Sequence, residues 1–331
     1  MRLQLRYFLL VRYCVVALSV ALGVTPRASA GDQHRATFTT IDFPASTFTE
    51  TNDISTRGDV VGRYIRADGT GHGYLLSEGR FITLDFPDAV FTTPKGINPQ
   101  NDIVGAYTDR DGRNHGFLLS KGVFTTFDAP GDTDTFHIGI NPRGNIVGAY
   151  CNRPCNILSV DVEDRAPSYG YLLKDGELTV FGVPLAIATG AMRISPPGDI
   201  VGTYWDASGH PHGYLLSEGR FSPIDVDGAT GTYVLGINPR GDIVGSYCTS
   251  LVFRPKCTFR INDNHAYLLS DGTVAALDLP GAPPFSRAWG ISPRGDIAGA
   301  YRDNSNRNHG FVLSTGRRDD ETDVDGAPRR R

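Results

Sequence analysis

The stretch "INPRGDIVG" fills residues 237–245, "INPRGNIVG" fills 140–148 and "ISPRGDIAG" fills 291–299. Looser copies stand at 55–62, 98–105 and 195–202. Their closing glycines, Gly62, Gly105, Gly148, Gly202, Gly245 and Gly299, are spaced 43, 43, 54, 43 and 54 residues apart. A period of this length marks a repeat architecture, in which each unit buries its apolar face only against its neighbours. Four short strand signals recur in each period. In the second copy they are "KGIN", "DIVGAY" (102–107), "HGFLLS" (115–120) and "VFTTFD" (123–128). In "NPRG", Asn suits position i, Pro position i+1 and Gly position i+3 of a type I turn. The pairs Glu78-Gly79, Lys121-Gly122, Asp175-Gly176, Glu218-Gly219, Asp271-Gly272 and Thr315-Gly316 read as two-residue hairpin turns. No helical periodicity competes after residue 37.

Four antiparallel strands per unit predict an all-β chain, a six-bladed β-propeller of four-stranded blades. Strands such as "DIVGAY" are apolar on both faces, as a blade packed between two neighbours requires. The longest link in an unmodified period, from "FTTID" to the next "GIN", is the blade-to-blade crossover. Gly 39 and Pro 21 suit many short strands joined by tight turns. A β-solenoid, the main rival, would show shorter coils and parallel strands.

Each x-Gly turn fixes the register of its hairpin. The register sets His72 opposite Asp85, His115 opposite Asp128, His212 opposite Asp225 and His265 opposite Asp278. In the third unit Tyr169 replaces His and Gly182 replaces Asp, so both positions depart together. Opposed side chains lie about 5 Å apart at Cβ, within reach of a hydrogen bond. A catalytic His–carboxylate couple is the functional alternative. Catalysis needs one site, whereas this pair recurs, so a structural strut is favoured. The sixth unit carries His309, and its downstream register points to Thr322. Upstream, "FTTIDF" (38–43) is an orphan fourth strand bearing Asp42. The N-terminal strand is therefore expected to close the ring beside "HGFVLS" (309–314), with Asp42 facing His309. The runner-up closing strand is "DETDVD" (320–325), one residue out of register.

Residues 1–30 have the layout of an export signal. Arg2 and Arg6 lead, a twelve-residue apolar stretch runs from Tyr13 to Val24, and Ala28-Ser29-Ala30 fits the cleavage rule. The stretch is too short for a comfortable membrane span, so no span is expected in the mature chain. Residues 31–317 form a single propeller domain and 318–331 a polar tail. A net charge of −4 argues against an electrostatic nucleic-acid binder.

The mature chain has four cysteines, all in the two long repeats: Cys151 and Cys155, Cys248 and Cys257. Pairing within each insertion is the simplest of three connectivities in an oxidising compartment. The spacings match zinc patterns poorly, and no metal is expected. Antiparallel order puts both insertions on one end of the ring, with the crossover loops, and the "PRG" turns on the other. Loops on a rigid scaffold carry binding. That end also carries Phe91, Phe136, His137, Trp205, Tyr233 and Trp289, which could stack on a sugar or peptide or simply cap the core; capping is favoured. "DRDGRN" (109–114) resembles a calcium loop, but its copies do not keep the ligand count. No nucleophile elbow, zinc-protease motif or phosphate loop is present, and no cofactor is expected.

The unit "GIN-P-x-G-x-I-V-G-x-Y … H-G-F-L-L-S-x-G-x-F-T-T-I-D" resembles the bacterial HAF extracellular repeat family. The family's His-Ala-Phe triplet reads His72-Gly73-Tyr74, His115-Gly116-Phe117, His212-Gly213-Tyr214, His265-Ala266-Tyr267 and His309-Gly310-Phe311. The third unit departs with Tyr169-Gly170-Tyr171. The resemblance covers about 38–317 and implies an exported bacterial repeat protein, secreted or periplasmic, with no catalytic set to transfer. The favoured expectation is a non-enzymatic scaffold that binds a protein or glycan through the insertion-bearing end. The alternatives are a hydrolase or lyase working in the central channel, and a purely structural envelope component. A unique polar cluster converging on the channel with perturbed acidity would favour the enzyme.

Overall fold

A computed structural model describes residues 36–131, 133–152, 167–249, 264–277, 279 and 285–315. The expected signal segment and polar tail lie outside the described residues. Within the described chain every regular element is a strand, and the arrangement is a β-propeller.

Four sheets are separate and four-stranded. The first holds β10 (Thr133–Ile140), β11 (Ile146–Asn152), β12 (Ser168–Lys174) and β13 (Glu177–Phe181). The second holds β14 (Ala188–Ile194), β15 (Ile200–Trp205), β16 (Pro211–Ser217) and β17 (Arg220–Ile224). The third holds β18 (Gly231–Ile237), β19 (Ile243–Cys248), β20 (His265–Ser270) and β21 (Thr273–Ala276). The fourth takes β22 (Ser286–Ile291), β23 (Ile297–Arg302) and β24 (Asn308–Ser314) from the C-terminal end and β1 (Thr37–Ile41) from the N-terminal end. β1 runs antiparallel to β24, with Thr39 opposite Val312 and Ile41 opposite Gly310.

The remaining strands form one eight-stranded sheet, so the expectation of six separate blades is not what the hydrogen bonding gives. Its members are β2 (Ser46–Ile54), β3 (Val60–Arg66), β4 (Gly71–Ser77), β5 (Arg80–Leu84), β6 (Phe91–Ile97), β7 (Ile103–Thr108), β8 (Asn114–Ser120) and β9 (Val123–Phe127). The two halves join through a single parallel pair, Gly71 with Phe91. The physical reason is local. Gly71 has no side chain, and the Phe91 ring occupies the space a Cβ would need, so β6 begins close against β4.

The turn chemistry explains the repeated motif. Asn98 Oδ1 accepts from the backbone N–H groups of Gln100 and Asp102 at 3.0 and 2.8 Å, and Asn141 and Asn238 do the same in their turns. Five of the x-Gly turns, those at Gly79, Gly122, Gly176, Gly219 and Gly272, place both central residues at positive φ, as in Glu78 (49°) and Gly79 (71°), the geometry of a type I′ hairpin, while Gly316 lies outside the described residues. The motif's closing glycine answers to a close approach. A Cβ on Gly105 would lie 2.2 Å from Thr93 O and 2.8 Å from the Phe117 ring, and the other five copies are equally crowded. Third-strand aromatics such as Tyr74, Phe117, Tyr171, Tyr214, Tyr267 and Phe311 are fully buried between units. Each contributes on the order of 2–3 kcal/mol by leaving water.

Candidate functional site at the centre of the wheel

The strands β2, β6, β10, β14, β18 and β22 pack one against the next, and β22 meets β2 again. Each carries a β-bulge at the same place, which leaves one residue out of the ladder: Asn52, Lys95, Ile138, Met192, Leu235 and Trp289. A bulge re-aims a side chain and frees backbone groups from pairing. Here the freed groups are used at the centre. Arg193 Nη1 donates to Ile138 O (3.0 Å) and Met192 O (2.8 Å), and Nη2 to Asn52 O (2.7 Å) and Lys95 O (2.9 Å). Arg193 Nε lies 3.6 Å from Asp53 Oδ2, which also accepts from Ile97 N–H at 3.0 Å. Burial pushes the Asp53 carboxyl up, and the guanidinium opposes that shift.

Arg193 divides the centre into two cavities that share it as a wall. One, about 80 Å³, opens at the "NPRG" turns and is rimmed by isoleucines and prolines such as Ile97, Pro99, Ile140 and Pro142. The other, about 40 Å³, lies toward the insertion-bearing end and is lined by Lys95, Asn52, Met192, Trp205, Leu235 and Trp289. Lys95 Nζ sits 3.4 Å from Asn52 Oδ1 and 5.0 Å from the centre of the Trp289 ring. Glu50 is paired with Arg63 at 2.7 Å. Burial raises the Glu50 carboxyl, but Arg63 and Lys95 outweigh it, and the group is held below its ordinary value. Burial pushes the Lys95 amine down to about 8, with Arg63, Arg193 and Arg287 adding to the shift and Glu50 opposing it.

The aromatics expected at this end are placed as follows. Trp205, Tyr233 and Trp289 belong to one buried apolar cluster with Leu235 and Cys248. His137 is fully buried, hydrogen-bonded through Nδ1 to Tyr171 Oη, and burial pushes its imidazole down to about 3. Phe91 and Phe136 are half-buried. Only the two tryptophans of this set line the cavity.

The recurring histidines sit away from the centre, on third strands. Nδ1 of His72 lies 2.9 Å from Asp85, that of His115 2.8 Å from Asp128, that of His212 3.1 Å from Asp225 and that of His309 2.9 Å from Asp42. Asp278 lies outside the described residues, so its pairing with His265 does too. Each ring, His265 included, stacks on a second-strand tyrosine at 4.9–5.3 Å, as His115 does on Tyr107. Nε2 of His115 and of His309 reaches a second carboxylate, Asp109 at 3.1 Å and Asp303 at 3.3 Å. Cys151 and Cys248 are buried, while Cys155 and Cys257 lie outside the described residues. Among the described residues no group of three His, Cys, Asp or Glu side chains is placed to hold a metal.

Sequence reasoning missed Asn52, Asp53, Lys95, Met192 and Arg193. A usable sign was present. The unit reads x-Gly-Ile before its turn, and Asp53 and Arg193 replace that glycine in two units only. The x position differs in every unit, as it would where a channel is lined rather than a core packed.

No protein family matches the chain by sequence, and no curated protein does. Solved structures are similar in fold. One is the SapL1 lectin in complex with α-methyl fucoside, with a TM-score of 0.52 and 11% identity over 81% of this chain and 96% of that one. Another is a mutant of AofleA from Arthrobotrys oligospora, at 0.50 and 10%, over 85% and 88%. A third is a putative TolB from Agrobacterium tumefaciens, at 0.51 and 17%, over 81% and 90%. At these identities the likeness is one of fold, and the class it defines is the β-propeller.

Proposed function

We propose that this chain is an exported propeller of the HAF repeat type, six blades around, that binds a protein or glycan at its insertion-bearing end. The blade count rests on the six bulged inner strands and on reading the single Gly71–Phe91 pair as a contact between two blades. Export rests on the layout of residues 1–30, and we expect disulfides Cys151–Cys155 and Cys248–Cys257 in the oxidised protein. The observation that carries a binding role is Arg193. It bridges the centre of the wheel and leaves a blind cavity on the side of the insertions. The lectin in complex with α-methyl fucoside, similar in fold, supports a glycan among the candidates.

The hydrolase or lyase alternative draws on a different observation, the converging cluster of Glu50, Asp53, Arg63, Lys95, Arg193 and Arg287, in which the acidities of Glu50, Asp53, Lys95 and Arg287 are perturbed. Its carboxylates are already paired, Glu50 with Arg63 and Asp53 with Arg193, which leaves no unpaired carboxylate in the cluster among the described residues. Binding is therefore the better reading. A glycan and peptide array with the exported protein, repeated after reduction and after deletion of 153–166 and 250–263, tests it. Binding should weaken when the insertions are removed. Undiminished binding by the deleted protein would place the partner surface elsewhere, and turnover of an arrayed ligand would revive the enzyme.

A further inference from the structure

We infer that the cavity on the insertion-bearing side of Arg193 is a binding site for a small carboxylate carried on a short apolar stem, with Lys95 as its anchor. The inference names a ligand class for the end proposed above as the binding end, and it rests on that choice of end.

Charge comes first. Four cations, Arg63, Lys95, Arg193 and Arg287, interact at the centre with two carboxylates, Glu50 and Asp53. Glu50 is committed to Arg63 and Asp53 faces Arg193. Lys95 stands beside an apolar-walled space, and a partly buried ammonium is costly without an acceptor. An ammonium has three donors. Lys95 has one protein acceptor within reach among the described residues, Asn52 Oδ1, at a long 3.4 Å. The other cations do not compete for a ligand in the same way. Arg193 spends both terminal nitrogens on backbone carbonyls.

Shape and chemistry then narrow the anion. The walls are Trp205, Trp289, Leu235, Met192 and Ile138. A bare halide would leave these walls unfilled, whereas an apolar stem buries them at roughly 25 cal/mol per Å². About 40 Å³ holds about three waters, which fits a carboxylate with one to three carbons behind it. Pockets of this build, apolar walls with a few convergent polar groups, are the usual form of a small-molecule site. The lowered amine pKa agrees. A desolvated ammonium regains stability when a carboxylate arrives, so binding should weaken as pH rises through about 8.

The chain offers its own reporter, because its two tryptophans, Trp205 and Trp289, both line this cavity. The test is a titration of tryptophan emission with sodium butyrate at constant ionic strength, with butyramide as the uncharged isostere. We expect a saturable change with butyrate, at least tenfold weaker with butyramide, and absent for sodium chloride alone. Lys95→Met should weaken butyrate about tenfold or more, while Lys121→Met, at an exposed turn, should not. Equal responses to butyrate and butyramide, or none to either, would overturn the inference, and this comparison needs no variant to fold. Circular dichroism of Lys95→Met separates lost binding from lost structure. A silent array with a positive butyrate titration fails the macromolecular reading alone. A positive array with a silent titration fails this one alone.

Discussion

At the residue scale, the chain spends its least repeated side chains at its centre. Arg193 and Asp53 are a buried pair, and breaking such a pair costs about 3–5 kcal/mol because one charge is left uncompensated. Arg193→Gly restores the x-Gly-Ile pattern of the other units, yet it should destabilise by about that amount. Adding Asp53→Gly should recover part of the loss by removing the stranded carboxylate. Urea denaturation of the single and double variants checks this, and a double variant worse than Arg193→Gly would contradict it. The histidine–aspartate struts are half-exposed and are expected to matter less. His72→Ala should cost no more than about 1 kcal/mol beyond its lost packing on Tyr64. Gly105→Ala should cost more than either, since a methyl has nowhere to go between Thr93 O and Phe117.

At the element scale, the bulge in each inner strand turns a repeated ladder into a lined channel. The edge of the last sheet is covered by β1, which also brings Asp42 to His309. Truncation to residue 44 would bare β24 as an open edge. We expect a lower melting temperature and concentration-dependent association, read by light scattering. Much of this level was legible in the sequence. The hairpin register followed from the x-Gly turns and the period of two, because a one-residue slip would turn every apolar side chain outward. The orphan strand "FTTIDF" pointed to its own partner through Asp42. The bulges were missed, although each falls on the varied residue of the x-Gly-Ile position, because one extra residue leaves the repeat period unchanged when every unit carries it. The merging of two units into one sheet was hidden because it depends on a glycine meeting a phenylalanine from the next unit. Of the aromatics singled out at the insertion end, Trp205 and Trp289 line the cavity, while Tyr233 and His137 are buried outside its lining. Burial, which governs Tyr233 and His137, and exposure draw on the same residue types.

At the scale of the whole molecule, stability should fall in acid. The carboxyls of Asp109 and Asp303 are held below the ordinary 3.8, first by the backbone N–H groups of Arg113 and Arg307 and then by their histidines. Their contribution is complete above that value and is lost as pH falls through the lowered ones. The melting temperature should therefore begin to fall below about pH 6.5, where the unfolded chain protonates His137 and the folded one holds its imidazole neutral down to about 3, and fall further as these carboxyls protonate. All of these expectations assume a wheel whose two chain ends meet in one sheet. Thr39 and Val312 face each other across β1 and β24. The direct measurement is peptide-mapped mass spectrometry of the oxidised T39C/V312C variant, beside T39C/S314C, which is two residues out of register. The 39–312 crosslink should form in good yield in the monomer, with the control far poorer. No intramolecular 39–312 crosslink, or an equal yield from the control, would mean that the ring is not closed by this strand in this register.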